Sequence, residues 1–476
     1  MKIEMIGHAS VFIETQDAKI MMDPVLWDPH QEGLFDVCPK REVIVDKIPD
    51  FDILIISHKH LDHFDIRSLA YLPKNVEVII PEDDLIKQSL QKLGYKKIYS
   101  IVDFQELKIG SSTSFLSTRS EDRVPEFGVL LKDDSGVFWN CVDTDLSLET
   151  IAFVLGKYPE IDFLLATWQP MLEMNYQNND GLSFPYEHYG RLLYNIRLIN
   201  PKALSPGSNA FKYINGSSFL NQVVFPVTRE KFCQDVKGIC PYLENLVFSL
   251  NPGDSIEFTP SKVIYDKGSC EFVRMIKDDR DELNFSPVTV GNKLIDHNSD
   301  NYDLVLMKES IETAITVDLV SFIKEHRSSI FREHFNWKIV YQLEVIFPDS
   351  CQRWCFDFAH NSLTLEKKCN PLANLFTYIT ASALYGLLHN KKGVDYAGLG
   401  GYYRSFDKIY LVTPHGLIPP YDYYIPFVDP LASRYANEEN EILVRDFEIQ
   451  NWQVRQPISK DNDDKRRKVK FEENIS

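Results

Sequence analysis

The chain has 476 residues, 44% of them hydrophobic and 12% aromatic, the make-up of a globular protein long enough for more than one core. Lys plus Arg number 51 against 69 for Asp plus Glu, and a net charge of −18 speaks against general nucleic-acid binding. Eight scattered cysteines without a CxxC pair point to reduced thiols, Met1-Lys2-Ile3-Glu4 enters a strand directly, and no apolar run reaches bilayer length. A cytoplasmic protein without a membrane span is expected.

In chain order, MKIEMIGHASVFIET and AKIMMDPVL alternate in hydrophobicity on either side of Gln16-Asp17 and predict a β-hairpin. Gly7-His8-Ala9-Ser10 interrupts the first run and Asp23-Pro24 ends the second. The apolar run Ile53-Leu54-Ile55-Ile56 predicts a buried strand that stops at Ser57. There follow His58-Lys59-His60-Leu61-Asp62-His63, three imidazoles and a carboxylate within six positions. A loop at the end of a buried strand can turn all four side chains toward one point, and these are the ligand types of zinc, iron and manganese. A helix is predicted over Ile66–Leu72, a strand over Val76–Pro81, and a helix over Asp84–Leu93 ended by Gly94. Extended segments follow at Lys97–Val102 and Ser114–Thr118. VLLKDD and GVFWNCVDTD flank a Ser135-Gly136 turn, and the second run delivers Asp143 at its end. A helix from Arg191 to Pro201 then leads into Leu204-Ser205-Pro206-Gly207-Ser208.

The HxHxDH loop resembles the signature of the metallo-β-lactamase superfamily. The resemblance implies an αββα sandwich in which His58 and His60 hold one metal and Asp62 and His63 the second. Val142-Asp143-Thr144 resembles the turn that supplies a bridging carboxylate, here Asp143. The GHAS opening resembles the branch containing ascorbate-phosphate lactonases, N-acyl-phosphatidylethanolamine phospholipases and CMP-sialic acid hydroxylases. In that branch the GHAS histidine, here His8, lies beside the metals, and the DP aspartate, here Asp23, supports the metal loop from behind. Asp62 and His8 are the catalytic residues so implied.

The chain also departs from the superfamily pattern. No histidine occurs from Phe64 to Glu187, where a third ligand is usual, and that stretch holds Glu121 and Glu126 instead. Ser208 stands where a proline-x-histidine turn would place the last histidine. His188 is an alternative ligand, although Leu192, Leu193 and Ile196 on its helix read as plain core. Carboxylates in place of imidazoles make a site harder and more anionic, which favours iron over zinc. The order and spacing of GHASVFIE, DPVL, SHKHLDHFD, Val124-Pro125-Glu126 and NCVDTD resemble the catalytic part of the CMP-N-acetylneuraminate hydroxylase family over roughly residues 1–260. The paired Cys-x-His and Cys-x-x-His motifs of a Rieske centre are absent, so oxygenase chemistry would draw electrons from a separate protein.

Residues 261–300 are charged and turn-rich and read as a linker. Residues 301–458 read as a smaller α/β domain, with a helix over Ile311–Ile323, strands over Trp337–Phe347 and Arg353–Phe358, and a helix over Leu372–His389. Tyr378 to Tyr385 and the Gly398–Gly401 turn resemble a sterol-carrier-type module. Tyr402, Tyr403, Tyr410, Tyr421, Tyr423 and Tyr424 supply amphipathic rings for an interface or a pocket. Residues 459–476, with Lys465-Arg466-Arg467-Lys468, read as a disordered tail. The expectation is an α+β protein, a catalytic domain over 1–260 followed by this smaller module. Two functions fit: a di-iron oxygenase acting on a small molecule, or a hydrolase of an ester, lactone or phosphodiester using zinc or manganese.

Overall fold

In a computed structural model, the described residues are all except 123, 292, 360–361, 421–426, 456–470 and 474–476. The tyrosines at 421, 423 and 424 and the basic run 465–468 lie outside them.

Two sheets face each other in the N-terminal part. The first has eight strands in the order Lys262–Asp266, Ser255–Thr259, Lys2–Gly7, Ser10–Glu14, Lys19–Met22, Ile53–Ile55, Glu77–Pro81 and Lys97–Ile101. It is antiparallel up to Lys19–Met22 and parallel beyond. Short turns join Lys2–Gly7, Ser10–Glu14 and Lys19–Met22, and Ser255–Thr259 to Lys262–Asp266, whereas helices carry the chain back between the parallel strands Ile53–Ile55, Glu77–Pro81 and Lys97–Ile101. The second sheet has seven strands in the order Leu204–Pro206, Phe163–Ala166, Gly136–Asn140, Phe127–Asp133, Thr113–Arg119, Glu106–Ile109 and Phe471–Glu473.

Side chains on alternate positions fill the space between the sheets: Ile3, Val11, Ile20 and Ile55 from the first, Phe115, Val129, Phe138 and Phe163 from the second. The outer face of the first sheet (Phe12, Leu54, Val78) packs on helices Ile66–Tyr71 and Asp84–Lys92. That of the second (Leu116, Leu130, Trp139) packs on helices Leu148–Lys157, Tyr186–Ile199 and Arg229–Ile239. The layers run αββα. Three successive helices open on an Asp or Ser cap, Asp65, Asp83 and Ser147, each accepting a backbone N–H, a contact worth about 1 kcal/mol apiece.

Two stretches read from sequence as linker belong to this layered part. Lys262–Asp266 is the edge strand of the first sheet, and Val273–Lys277 pairs with Lys40–Val43. At the other end of the chain, Phe471–Glu473 adds a strand against Glu106–Ile109.

The C-terminal part is a five-stranded sheet in the order Thr364–Glu366, Cys351–Asp357, Val340–Ile346, Leu375–Thr380 and Tyr403–Asp407. Helices covering 304–325, Ala381–Leu388 and Pro430–Tyr435 bury one of its faces. The helix read over Leu372–His389 is instead a strand, Leu375–Thr380, running into a helix, Ala381–Leu388. Leu-Phe-Thr-Tyr-Ile-Thr is rich in aromatic and β-branched residues that favour a pleated strand, and its neighbours hydrogen-bond it on both sides.

Helix Glu438–Arg455 returns to the outer face of the first sheet, where Ile449 joins the core. Lys59 Nζ meets Glu441 Oε2 at 2.7 Å on the way. Glu32 is a second point of attachment: its Oε1 accepts from the Gly393 N–H at 2.7 Å, and its carbonyl accepts from Lys392 Nζ at 2.7 Å.

Candidate metal centre

The strand Ile53–Ile55 ends against the buried Asp23, which organises the loop that follows. Asp23 Oδ1 accepts from the Ser57 N–H and Oδ2 from the Ser57 hydroxyl, both at 2.7 Å, while Oδ2 also meets His63 Nδ1 at 3.0 Å. That last bond fixes the His63 ring so that Nε2 points away from Asp23, to 3.0 Å from Asp143 Oδ2 and 3.9 Å from Asp62 Oδ2.

Asp62 is held from its other side. His8 Nδ1 accepts from the Ala210 N–H at 3.3 Å, which leaves the proton on Nε2, 3.0 Å from Asp62 Oδ2. His8 therefore donates to Asp62 as a neutral imidazole, and burial keeps it neutral by lowering its pKa despite the nearby carboxylate. His58 is buried with Nδ1 at 2.9 Å from the Ser57 hydroxyl, and its Nε2 has no hydrogen-bond partner. The half-buried His60 ring lies edge-on to that of His58 with centroids 4.6 Å apart.

Asp143 arrives on a strained turn. Val142 has φ +52°, a left-handed conformation that for a β-branched residue costs on the order of 1–3 kcal/mol. Asn140 Oδ1 accepts from the Val142 N–H at 3.0 Å, and the Ser208 hydroxyl bonds both the Val142 carbonyl and Asp143 Oδ1. His8 at φ +53° and Asp23 at φ +44° share this backbone conformation. Three left-handed residues around one point is the pattern of a site whose geometry the surrounding fold imposes.

The charges are strongly coupled. Burial opposes the His63 imidazolium, but Asp143 and Asp62 outweigh it and hold its pKa well above the usual value. In turn, burial opposes ionisation of Asp143 and Asp62, yet His63 keeps both carboxylates well below their ordinary range. Burial, with His63 and His60 nearby, pushes His58 well below its usual value. Glu126 is buried with Oε2 3.9 Å from His58 Nδ1 and the Ser120 hydroxyl on its other oxygen. Burial and the charges of Asp143 and Asp122 raise its pKa to about 8.

The residues sort cleanly. His8, Asp62 and His63 form one group whose ligand atoms all lie within 4.8 Å of one another, and His58, His63 and Asp143 form another. Glu126 flanks the second. Glu121 is not brought to the cluster: it is exposed, and Arg119 holds its carboxylate from the strand end below. His188 is not brought there either, being exposed on its helix beside Arg191 and Asp145. The buried unpartnered Nε2 of His58, in a group with His63 and Asp143, fits a divalent cation, since a buried polar atom without a partner is otherwise costly.

Two neighbours carry no signal of their own in the sequence. His30, buried, stacks on His8 with centroids 6.0 Å apart and its Nδ1 3.1 Å from Asp28 Oδ1. Glu173 has a pKa raised to about 7 by burial and by the charges of Asp62 and Asp143. Glu173 sits on a five-residue helix far from any motif.

A family model described as a beta-lactamase superfamily domain matches residues 2–122. A putative Rieske 2Fe-2S iron-sulfur protein of Mycolicibacterium smegmatis is 29% identical over 185 residues, 36% of this chain and 36% of that protein. The chain thus spans about a third of that relative's length. The protein YddR of Bacillus subtilis is 27% identical over 108 residues, 21% of this chain and 42% of its own. Among solved structures, an isothiocyanate hydrolase from Delia radicum gut bacteria aligns at TM-score 0.40 and 14% identity, covering 54% of this chain and 100% of that one. CmlA, a diiron β-hydroxylase from Streptomyces venezuelae, aligns at TM-score 0.37 and 14% identity, covering 56% of this chain and 54% of that one. No helix among the described residues is long and apolar enough to cross a membrane. Residues 2–122, which carry the HxHxDH loop at the end of a parallel strand, are thus similar to the beta-lactamase superfamily domain.

Proposed function

We propose that the protein is a non-haem iron oxygenase, a hydroxylase of a small molecule, that draws its electrons from a separate protein. The observation that carries this reading is the presence of oxygen-bearing side chains at two places where the superfamily usually has imidazole. The Ser208 hydroxyl bonds Asp143 where the superfamily usually sets a histidine, and the buried Glu126 stands beside His58 in a stretch without histidines. His58, His60 and Glu126 would hold one ion, Asp62 and His63 the other, and Asp143 would bridge them. A donor set with few imidazoles and several carboxylates suits iron better than zinc. When bound, iron supplies the one-electron chemistry and oxygen activation that no side chain provides.

The chain's own groups do the rest. Asp23 orients His63 through Nδ1, and His8 orients Asp62 through Nε2. Burial and the nearby carboxylates favour the protonated Glu126 carboxyl in the metal-free site, so Glu126 would release its proton on taking a cation. Glu173, its pKa raised to about 7 by burial and the charges of Asp62 and Asp143, can hold a proton near the cluster. The Rieske iron-sulfur name of the relative from Mycolicibacterium smegmatis supports an electron-transfer partner, since no such motif is encoded here.

Anaerobic reconstitution with ferrous iron tests the reading. Up to two irons per chain should bind, and oxygen uptake should follow on exposure to air and an electron donor. Glu126→His should raise the ratio of zinc to iron bound from an equimolar mixture. A protein that takes up zinc in preference to iron, consumes no oxygen and cleaves a phosphodiester or lactone would instead be a hydrolase.

A further inference from the structure

The face of the C-terminal sheet turned away from its helices carries a polar and aromatic row with no role in the metal centre. Along Val340–Ile346 the side chains of Tyr341, Leu343 and Val345 enter the core, so Glu344 and Ile346 point to the other face. Glu344 lies directly opposite Arg353 on one side and Tyr378 on the other, and Tyr378 lies opposite Arg404. Four side chains on four adjacent strands thus form one line: Arg353, Glu344, Tyr378, Arg404. Next to it the rings of Tyr378 and Phe406 are nearly parallel at 8° with centroids 6.0 Å apart, and Phe376 stacks on Phe406 at 5.1 Å.

A cavity of about 700 Å³ lies over this row and shares no lining residue with the histidine cluster. Its volume is that of a site for a drug-sized organic molecule. Leu294 and Phe347 add apolar wall, and Lys293 and Asn179 close another side.

The charge around the cavity is positive although the whole chain carries −18. Lys293, Arg353 and Arg404 face two carboxylates, Glu344 and Asp349. Asp349 is neutralised by Lys308, from outside the lining, at 2.7 Å. Glu344 takes the Nε edge of Arg353 at 2.9 Å, which leaves further N–H groups of that guanidinium for another acceptor. Arg404 is fixed by the Tyr176 carbonyl at 3.1 Å and Asn179 Oδ1 at 2.5 Å, so its position costs no further ordering on binding. Lys293 makes no ion pair among the described residues. Flat aromatic surface beside surplus cations selects a ligand with both properties.

We propose that this cavity binds a planar aromatic or polycyclic anion, its ring on the Phe406–Tyr378 face and its carboxylate, sulfonate or phosphate toward Lys293 and Arg353. Two fluorescent probes with the same ring system test it on the full chain: 8-anilinonaphthalene-1-sulfonate, which is anionic, and N-phenyl-1-naphthylamine, its neutral counterpart. The anion should bind at one site per chain and about tenfold or more tighter than the neutral probe, the scale of one well-placed charge contact. Lys293→Glu should weaken the anion by about tenfold and leave the neutral probe unchanged. Phe406→Ala should weaken both. Leu417→Asp, in the exposed apolar hairpin Leu411–Thr413 and Gly416–Ile418, should change neither. Equal affinity for the two probes, indifference to both Lys293→Glu and Phe406→Ala, or loss of binding in Leu417→Asp would overturn the proposal.

Discussion

Two buried polar clusters, one in each part of the molecule, differ in whether they are complete. In the C-terminal part Asp429 accepts from the Tyr341, Tyr403 and Ser405 hydroxyls and from the N–H groups of Leu431 and Ala432. Both carboxylate oxygens are used, and the cluster caps a helix while tying it to the sheet. At the metal centre the same kinds of group are packed as closely, yet the buried Nε2 of His58 has no partner and three backbone positions are left-handed. A protein satisfies buried polar atoms wherever it can. A closed network therefore reads as architecture, and an open one as a place where something else belongs.

The sharpest way to test that distinction is to remove one residue from each. His58→Ala and His60→Ala should each lose most bound metal and abolish turnover while thermal stability of the metal-free protein changes little, whereas Asp143→Ala should lose metal and also lower stability by leaving the buried His63 without its carboxylate; metal analysis with a melting curve checks both. Asp429→Ala should do the reverse. It strands buried tyrosine hydroxyls and uncaps a helix, so unfolding should cost about 3–5 kcal/mol less by denaturant titration, with metal content per folded chain unchanged. If Asp429→Ala also empties the metal site, the two clusters are not separable.

A milder effect is expected behind the ligands. Asp23→Asn keeps the shape but weakens the orienting bond to His63 Nδ1, and metal affinity should fall on the order of 10–100-fold. The smallest effect concerns the contact between the two parts. Burial, with Glu448 close by, raises the Glu32 carboxyl to about 7 against an unfolded value of 4.5. Its protonated form is thus favoured in the folded state, and that stabilisation is complete below 4.5 and lost as pH rises through about 7. The melting temperature should decline between pH 5 and pH 8, and Glu32→Gln should flatten that decline by a few degrees.

What could be read from the sequence depended on how local the cause was. The HxHxDH loop declares itself because four ligand types fall within six positions, and the strand before it is an uninterrupted apolar run. Ser208 beside Asp143 was visible only as a departure from a pattern. Glu121 and Glu126 were indistinguishable by spacing, because what separates them is burial: one faces solvent beside Arg119, the other packs against His58. Leu375–Thr380 read as helix because the apolar periodicity of Ala381–Leu388 extended back into it, and the two neighbouring strands that hold it are distant in sequence. Glu173 and His30 acquire their place only through tertiary packing, which no window of residues contains.

The pairing of Lys2 with Glu257 has a consequence for how the chain folds. Lys2–Gly7, an interior strand of the first sheet, can bond Ser10–Glu14 at once, but its other edge waits for residues more than two hundred positions later. During synthesis that edge stays open until Ser255–Thr259 emerges, through the whole time the metal loop and all but the last strand of the second sheet are being made. Such long-range closure slows folding and exposes a pairing edge to other chains. Early termination before this strand should therefore yield aggregates, whereas chains carried past Asp266 should become protease-resistant in one step.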